Sequence, residues 1–148
     1  MGIDTEMPDL RDEDIGERRA TLEMGHEEAI EHVREAFAEA GFGTAVEFSV
    51  SGLLEEKLGG ERDPYYILGA CNPEMADRAL EQSLELGGLM PCNVVIWEEE
   101  PGRQQVYHVS IMKIAPLLGM APDDEDWAEL VADTGELVER AFANLDAD

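Results

Sequence analysis

The sequence predicts an α+β domain in which helices pack on one face of a mainly antiparallel sheet. Strand-like segments alternate with segments of helical periodicity, in the order strand, helix, strand, helix, strand, helix, hairpin, helix. The hairpin is indicated by two strand-like segments that are separated only by a short turn. No internal repeat or low-complexity block interrupts this pattern.

The chain divides into a short tail and one domain. Residues 1–17 are acidic and aperiodic, and Pro8 and Gly16 interrupt them, so we expect a disordered tail. Residues 18–148 are predicted to form a single domain, because a chain of this length can bury about 68–70% of its unfolded surface. A short first strand is expected at residues 19–24.

A first helix is predicted between Gly25 and Gly41. Gly25 is an acceptable N-cap, and Gly41 followed by Phe42 is typical of a Schellman ending. Four apolar residues recur at the spacing that lines one helical face: Ile30, Val33, Phe37 and Ala40. Glutamates cover the opposite face, so this helix is expected to lie on the surface of the domain.

Three further elements follow this helix. Residues 44–50 alternate between the two faces of a strand and predict a half-buried strand. Ser51 is expected to cap a short helix that ends at Gly59-Gly60. Residues 65–70 are rich in aromatic and aliphatic side chains and predict the next strand.

The third helix is expected to begin directly after a cysteine. Cys71 follows the strand, Asn72 is a good N-cap, and Pro73 suits the first helical position. Residues 92–97 predict a strong strand, and residues 106–111 predict its antiparallel return strand. The apolar stripe of the last helix consists of Trp127, Leu130, Thr134, Val138, Ala141 and Leu145.

Acidic residues dominate the composition. The 148 residues include 35 Asp and Glu but only 10 Lys and Arg, which gives a formal net charge of −25. Such a charge makes a compact state repel itself in ordinary buffer, whereas molar salt shortens the Debye length to about 3 Å and screens the repulsion. The simplest interpretation is a cytoplasmic protein adapted to high salt. A chaperone-like or cation-binding acidic surface is the alternative.

The composition also argues against several partners. Nucleic acids and anionic membranes would be repelled by the net charge of −25. No apolar run approaches the roughly 18 residues that a membrane-spanning helix needs, and the first residues do not resemble a secretion signal. No paired catalytic carboxylates, phosphate-binding glycine loop or serine elbow is visible, so the sequence leaves enzymatic activity undecided and assigns no cofactor.

The strand boundaries carry a resemblance to a known family. Two motifs match it best: Tyr66-Ile67-Leu68-Gly69-Ala70-Cys71-Asn72-Pro73 and Pro91-Cys92-Asn93-Val94-Val95. Further matches are Glu28-Ala29, Gly41-Phe42, Leu58-Gly59 and Ala79-Leu80. From about Leu22 to Leu145 the chain therefore resembles the domain of unknown function 302 family.

This resemblance implies a compact α+β fold similar to the TATA-box-binding-protein-like group, packed as a homodimer. It does not imply DNA binding, because a fold does not carry its function with it. The family has no established reaction, so it supplies no catalytic residues. Where members tend to have a short Asp-Pro segment after the last strand, this chain has Met112-Lys113-Ile114-Ala115-Pro116. Any role of that segment is therefore not transferred here.

Cys71 is the sharpest candidate for chemistry. If Asn72 caps a helix, the thiol lies beside the helix N-terminus, where free N–H groups and the helix dipole favour a thiolate. Cys71 would then act as a nucleophile, a redox sensor or a ligand of a soft metal. The alternative is that Cys71 packs as a small apolar residue, which is common for cysteine. For Asn72, helix capping is a sufficient explanation.

Cys92 and His108 could extend such a site. If the strand of Cys92 lies beside that of Cys71, the two sulfurs could form a reversible disulfide or a two-thiolate metal site. The spacing of 21 residues is not the tight pair spacing of a zinc site, so the metal remains undecided. His108 could approach Cys92 across the hairpin, although a lone strand histidine more often packs half-buried.

Asn93 is unexpected within a strand, where asparagine is depleted. We interpret it as a buried hydrogen-bonding residue that satisfies the backbone around Gly69-Ala70, with a ligand-binding amide as the alternative.

Two functions of different classes follow from these residues. The first is a homodimeric binding module that holds a small ligand or a partner near Cys71-Asn72-Pro73. The second is a thiol-based redox or metal-binding protein that uses Cys71 and Cys92. An enzyme with Cys71 as nucleophile is a third, but the sequence offers it no convincing base.

Overall fold

The computed structural model describes residues 9–146 of the chain. All predicted helices and strands are present, and two short helices are added to them. The elements in chain order are β1 (Arg18–Leu22), α1 (His26–Glu39), β2 (Gly43–Ser49), α2 (Val50–Leu58), β3 (Tyr65–Cys71), α3 (Pro73–Gln82), a 3₁₀ helix (Leu84–Gly88), β4 (Cys92–Glu100), β5 (Arg103–His108), α4 (Ile111–Leu117) and α5 (Glu125–Leu145).

The five strands form one sheet in the order β1-β5-β4-β3-β2. Every neighbouring pair is antiparallel. The predicted fold class, an α+β domain with a mainly antiparallel sheet and helices on one face, is confirmed. The predicted hairpin is also confirmed, with β4 and β5 joined at Pro101-Gly102.

The inner face of the sheet packs against α1 and α5. Its main core joins alternate strand residues to the apolar stripes of these two helices, as the period of two in a strand requires. Phe37 of α1 contacts Phe42 and Phe142, with ring centroids 5.5 and 5.8 Å apart. The stripe predicted for the last helix is confirmed, because all six of its residues are buried.

A second apolar cluster lies beyond the end of the sheet. It joins α3, the 3₁₀ helix and α4 to the first turns of α5, with Trp127 near its centre. The Trp127 side chain is 2% exposed, and its Nε1–H donates to the carbonyl oxygen of Met112 at 2.7 Å. This cluster fixes the helices that surround the ends of β3 and β4.

The outer face of the sheet carries aromatic and aliphatic side chains. One register row crosses all five strands: Phe48, Ile67, Val95, Tyr107 and Arg19. The adjacent rows are Tyr65, Trp97, Gln105 and Thr21 on one side, and Val46, Gly69 and Asn93 on the other. We call these three rows the outer sheet face. Its apolar side chains are exposed or half-buried, up to 58% for Val46.

Several helix ends form as predicted. Gly25 is the N-cap of α1. Gly41 adopts a φ of 98°, in the left-handed region that favours glycine, and the amide of Phe42 donates to the carbonyl of Phe37 at 2.9 Å. The Schellman ending of α1 is therefore confirmed. Ser51, in contrast, does not cap α2.

The N-cap of α2 is Ser49, whose hydroxyl accepts from the amide of Gly52 at 3.0 Å. The Ser51 hydroxyl accepts instead from the amide of Tyr65 at 3.0 Å and thereby ties α2 to the start of β3. The preceding strand ends one residue earlier than predicted, because the chain turns into α2 at Val50.

The prediction of a return strand at residues 106–111 was wrong at both ends. The strand β5 is Arg103–His108, and Ile111 begins α4. Ser110 caps that helix by accepting from the amide of Lys113 at 3.2 Å. The apolar run after His108 continues a strand pattern in sequence, but burial against Trp127 and Leu130 makes it helical.

Part of the predicted disordered tail contacts the domain. Residues 1–8 lie outside the described residues. Of the segment that follows, the Ile15 carbonyl accepts from the amide of Ser110 at 2.8 Å, and the Asp14 carboxylate pairs with Lys113 Nζ at 2.6 Å. These contacts place this part of the segment beside α4.

Candidate functional site

A small cavity lies where the end of β3, the start of α3 and the start of β4 meet. Its volume is about 20 Å³, and the sulfur-bearing residues in its wall are Cys71, Met75, Met90, Cys92 and Met112. A cavity of this size holds about one water-sized atom. We call it the sulfur cavity. It contains both cysteines of the chain, and both are free thiols.

Asn72 fixes one wall of the sulfur cavity. Its side-chain oxygen accepts from the amide of Met75 at 3.0 Å, so the predicted N-cap is confirmed. Its side-chain nitrogen donates to the carbonyl oxygen of Gly41 at 2.9 Å and so connects the start of α3 to the end of α1. Both polar groups of the amide are thus used for structure.

The sheet register brings the two cysteines into neighbouring strands. Cys92 lies opposite Ala70, which precedes Cys71. Burial raises the pKa of the Cys92 thiol to about 11, and the neighbouring Cys71 thiol contributes to the same shift because two adjacent thiolates repel each other. The Cys92 thiol is therefore protonated at neutral pH.

Cys92 should react slowly with an alkylating reagent. At neutral pH its thiolate population should be about 100-fold lower than that of an ordinary cysteine, because burial raises its pKa from 9.0 to about 11. We expect peptide mass spectrometry to show slow labelling of Cys92 that accelerates up to about pH 11. Labelling of Cys92 at the rate of a free thiol at neutral pH would contradict this expectation.

Thr134 also lines the sulfur cavity, although the sequence analysis did not identify it as a polar residue of the site. It was predicted only as part of the apolar stripe of the last helix. The side chain is 4% exposed, and its Oγ1 has no hydrogen-bond partner within the described part of the chain. A buried hydroxyl without a partner is uncommon and costs free energy of folding. Met75, Met90 and Met112, which also line the cavity, were missed as well, because methionine alone is no sequence signal.

His108 does not line the sulfur cavity. It lines a neighbouring cavity of about 30 Å³ together with Arg18, Lys113 and Thr134. His108 is 3% exposed, and its Nδ1 lies 2.9 Å from the carbonyl oxygen of Asn93. Because a carbonyl only accepts, Nδ1 carries the proton. The structure therefore does not place the imidazole with Cys92 in one cavity.

Protonation of His108 should destabilise the fold. Burial lowers the pKa of His108, and the nearby Arg18 guanidinium acts in the same direction, although the bond to the Asn93 carbonyl opposes them. The unfolded chain then binds the proton at a higher pH than the folded chain, so stability present above about pH 6.5 is lost as the pH falls toward the folded-state pKa. We expect His108→Gln, which cannot ionise, to reduce this loss in urea unfolding. An equal loss in both proteins would contradict the prediction.

Asn93 differs from its predicted role. Its side chain is exposed on the outer sheet face, opposite Gly69, so the predicted buried hydrogen bond of this side chain is wrong. Its backbone carbonyl makes the buried contact instead, with His108. The alternation of side chains along β4 explains the difference, because Val94 occupies the inward position next to it.

The described residues contain no group of three or more His, Cys, Asp or Glu side chains that could share a metal ion. No helix between residues 9 and 146 is long and apolar enough to cross a membrane.

Comparison with known proteins agrees with the fold. The family model named "Domain of unknown function DUF302" matches residues 18–145. The chain is similar to the crystal structure of an uncharacterized conserved DUF302 protein from Bacillus stearothermophilus, with a TM-score of 0.72 and 29% sequence identity over 89% of this chain and 97% of that chain. No curated protein matches. The match over residues 18–145 shows that the chain belongs to the DUF302 family of domains of unknown function.

Proposed function

We propose that this protein is a non-catalytic homodimeric binding module of a high-salt cytoplasm. In this proposal the outer sheet face packs against a second copy of the chain, and the sulfur cavity holds a small ligand. The outer sheet face is the observation that carries the proposal. Nucleic acids and anionic membranes are not its partners, because the net charge of −25 repels both.

The charge of the outer sheet face supports a second copy as its partner. None of the positions in its three register rows is Asp or Glu, and Arg19 is their one charged residue, whereas the chain has 35 acidic residues. Two copies with this net charge repel each other least where carboxylates are absent. A two-fold dimer requires a surface that is complementary to itself, and an uncharged apolar face meets this requirement.

The side chains of the outer sheet face are typical of an interface. Aromatic residues are enriched in protein–protein interfaces, and charged residues are depleted at the interface core. Tyr65 and Trp97 stack with ring centroids 6.2 Å apart, and Tyr107 packs beside Trp97 at 6.5 Å. The guanidinium of Arg19 lies 4.5 Å from the ring centre of Tyr107. These contacts hold the aromatic rings in place before a partner binds.

The proposed adaptation to salt affects the same association. Repulsion between two chains with a net charge of −25 should weaken the dimer at low ionic strength. At about 1 M salt the Debye length is about 3 Å, so carboxylates around the interface no longer repel each other strongly. We therefore expect the dimer to be tighter in molar KCl than in dilute buffer.

Light scattering coupled to size-exclusion chromatography tests the proposal. In molar KCl the protein should elute as a dimer, and Val95→Asp should convert it to a monomer because it places a charge at the centre of the outer sheet face. The matched control is Leu84→Asp, which introduces the same group at a position that is 84% exposed and off the sheet. This control should remain dimeric.

Phe48→Glu, at the edge strand β2, is a second interface variant in case Val95→Asp unfolds, which circular dichroism would show. A wild-type chain that is monomeric in molar KCl would contradict the homodimer. So would a dimer that survives both interface substitutions.

The thiol-based alternative has one observation in its favour, since both cysteines line the sulfur cavity. A redox role of Cys92 requires an accessible thiolate, however, whereas burial keeps its half-buried thiol protonated at neutral pH. The proposed function therefore does not use oxidation of Cys92.

A further inference from the structure

We propose that the sulfur cavity binds a single Cu(I) ion through the thiolate of Cys92, with the methionine thioethers as the other ligands. This inference rests on the binding function proposed above and names its ligand.

The ligand chemistry supports a soft metal. Two cysteines and three methionines line the wall of one cavity, and they come from β3, α3, β4, α4 and the loop before β4. Thiolate and thioether sulfur select soft centres, namely Cu(I), zinc and iron–sulfur clusters, and the last of these are typically held by four cysteines. Hard cations such as Mg²⁺ and Ca²⁺ prefer oxygen ligands, and the cavity wall contains no carboxylate.

The size of the cavity supports a single ion rather than an organic molecule. At about 20 Å³ it holds about one water-sized atom. Typical pockets for small organic ligands have volumes of about 300–1,000 Å³. The small ligand of the proposed binding module must therefore be an ion or a molecule of similar size.

Charge balance favours a monovalent ion. One thiolate and one Cu(I) form a neutral pair, and a neutral pair costs less to bury among apolar side chains than a net charge does. As the copper–sulfur bond forms, the Cys92 thiol releases its proton to solvent, and copper remains Cu(I). No electron is transferred, so the step needs neither an oxidant nor a reductant.

A zinc site is a poorer description of these residues. Structural zinc sites use four ligands from cysteine and histidine, and the described chain has no group of three or more metal-binding His, Cys, Asp or Glu side chains. His108 lies in the neighbouring cavity. Thioethers do not replace the missing ligands for zinc, whereas they do bind Cu(I).

Competition with a chromogenic Cu(I) chelator, bicinchoninate, tests the inference under anaerobic conditions on the full reduced chain in molar KCl. We expect one Cu(I) per chain, and X-ray absorption should show only sulfur around the copper. Cys92→Ser and the triple variant Met75→Leu, Met90→Leu, Met112→Leu should each weaken binding by at least about tenfold, which even outer-shell partners of metal ligands typically contribute.

Met24→Leu is the matched control, because Met24 packs on the main core away from the sulfur cavity. Its affinity for Cu(I) should equal that of the wild type. The Met→Leu variants approximately conserve volume, so they keep the test valid if Cys92→Ser does not fold. A chain that binds copper through nitrogen or oxygen, or whose affinity is unchanged in the triple variant, would overturn the inference.

The outcomes also distinguish this inference from the proposed function. A monomeric chain that binds one Cu(I) through sulfur would end the homodimer proposal and support the copper site. A dimeric chain that cannot compete with bicinchoninate would overturn the copper site and leave the dimeric module in place.

Discussion

Trp127→Ala is expected to lower the free energy of unfolding by about 3–5 kcal/mol, the range typical of a buried large aromatic residue. Trp127 is 2% exposed at the centre of the second apolar cluster, so its removal leaves a cavity that the surrounding helices α3, α4 and α5 fill only partly. It also leaves the carbonyl oxygen of Met112 without its donor. Urea unfolding at a fixed protein concentration in molar KCl measures the effect.

Trp127→Phe separates the two contributions. It keeps most of the packing but loses the Nε1–H. The free energy of unfolding should therefore fall by about 1–3 kcal/mol, because a buried carbonyl is left without its donor. The loss of side-chain volume is smaller than in Trp127→Ala. Leu84→Ala is the surface control, because Leu84 is 84% exposed, and it should change stability by about 0.5 kcal/mol or less. If Trp127→Ala and Leu84→Ala had equal effects, the second cluster would not be a core.

Gly69→Ala is expected to destabilise the protein by about 1–3 kcal/mol, as overpacking typically does. A Cβ at Gly69 would lie 2.7 Å from Pro91 Cγ and 2.7 Å from Val46 Cγ2, and 3.1 Å from the Val46 carbonyl oxygen. The exposed Val46 side chain can rotate away, but the proline ring and the backbone of β2 cannot move without disturbing the sheet register.

Gly135→Ala is the matched control and should have the opposite sign. A Cβ at Gly135 meets no atom within 4 Å, and Gly135 lies inside α5. Alanine should therefore stabilise the helix by about 0.5–1 kcal/mol relative to glycine. Chemical unfolding of both variants under one set of conditions measures the two signs. Destabilisation by Gly135→Ala, or no destabilisation by Gly69→Ala, would show that the space available to a Cβ does not determine the effect of alanine on stability at these positions.

Local signals were sufficient for the helices with clear caps and stripes. Gly25, Gly41 and Asn72 act where predicted, because a cap depends on residues within three or four positions of one another. The stripe of α5 was also recognised, since six residues in helical spacing share one buried face. The prediction that Ser51 caps α2 was wrong because two serines, Ser49 and Ser51, lie close enough to the helix start to cap it.

The return strand shows where local pattern fails. The residues after His108 continue an apolar run, and nothing in the run itself excludes a strand. The helix α4 forms there because Ile111, Met112 and Ala115 are buried together against α5. Asn93 shows the same limit, since its face was set by the register of β4 against β3 and not by its own polarity.

From the sequence one can predict the fold class, the caps, the family resemblance and the position of both cysteines at strand boundaries, because each depends on residues that are close in the chain. The set of sulfurs that shares a cavity follows from tertiary packing instead, since Met75, Met90 and Met112 meet the cysteines where helices and a loop pack around the sheet end. The same packing places His108 in a separate cavity. Contacts between residues far apart in sequence depend on register and packing, which no local pattern encodes.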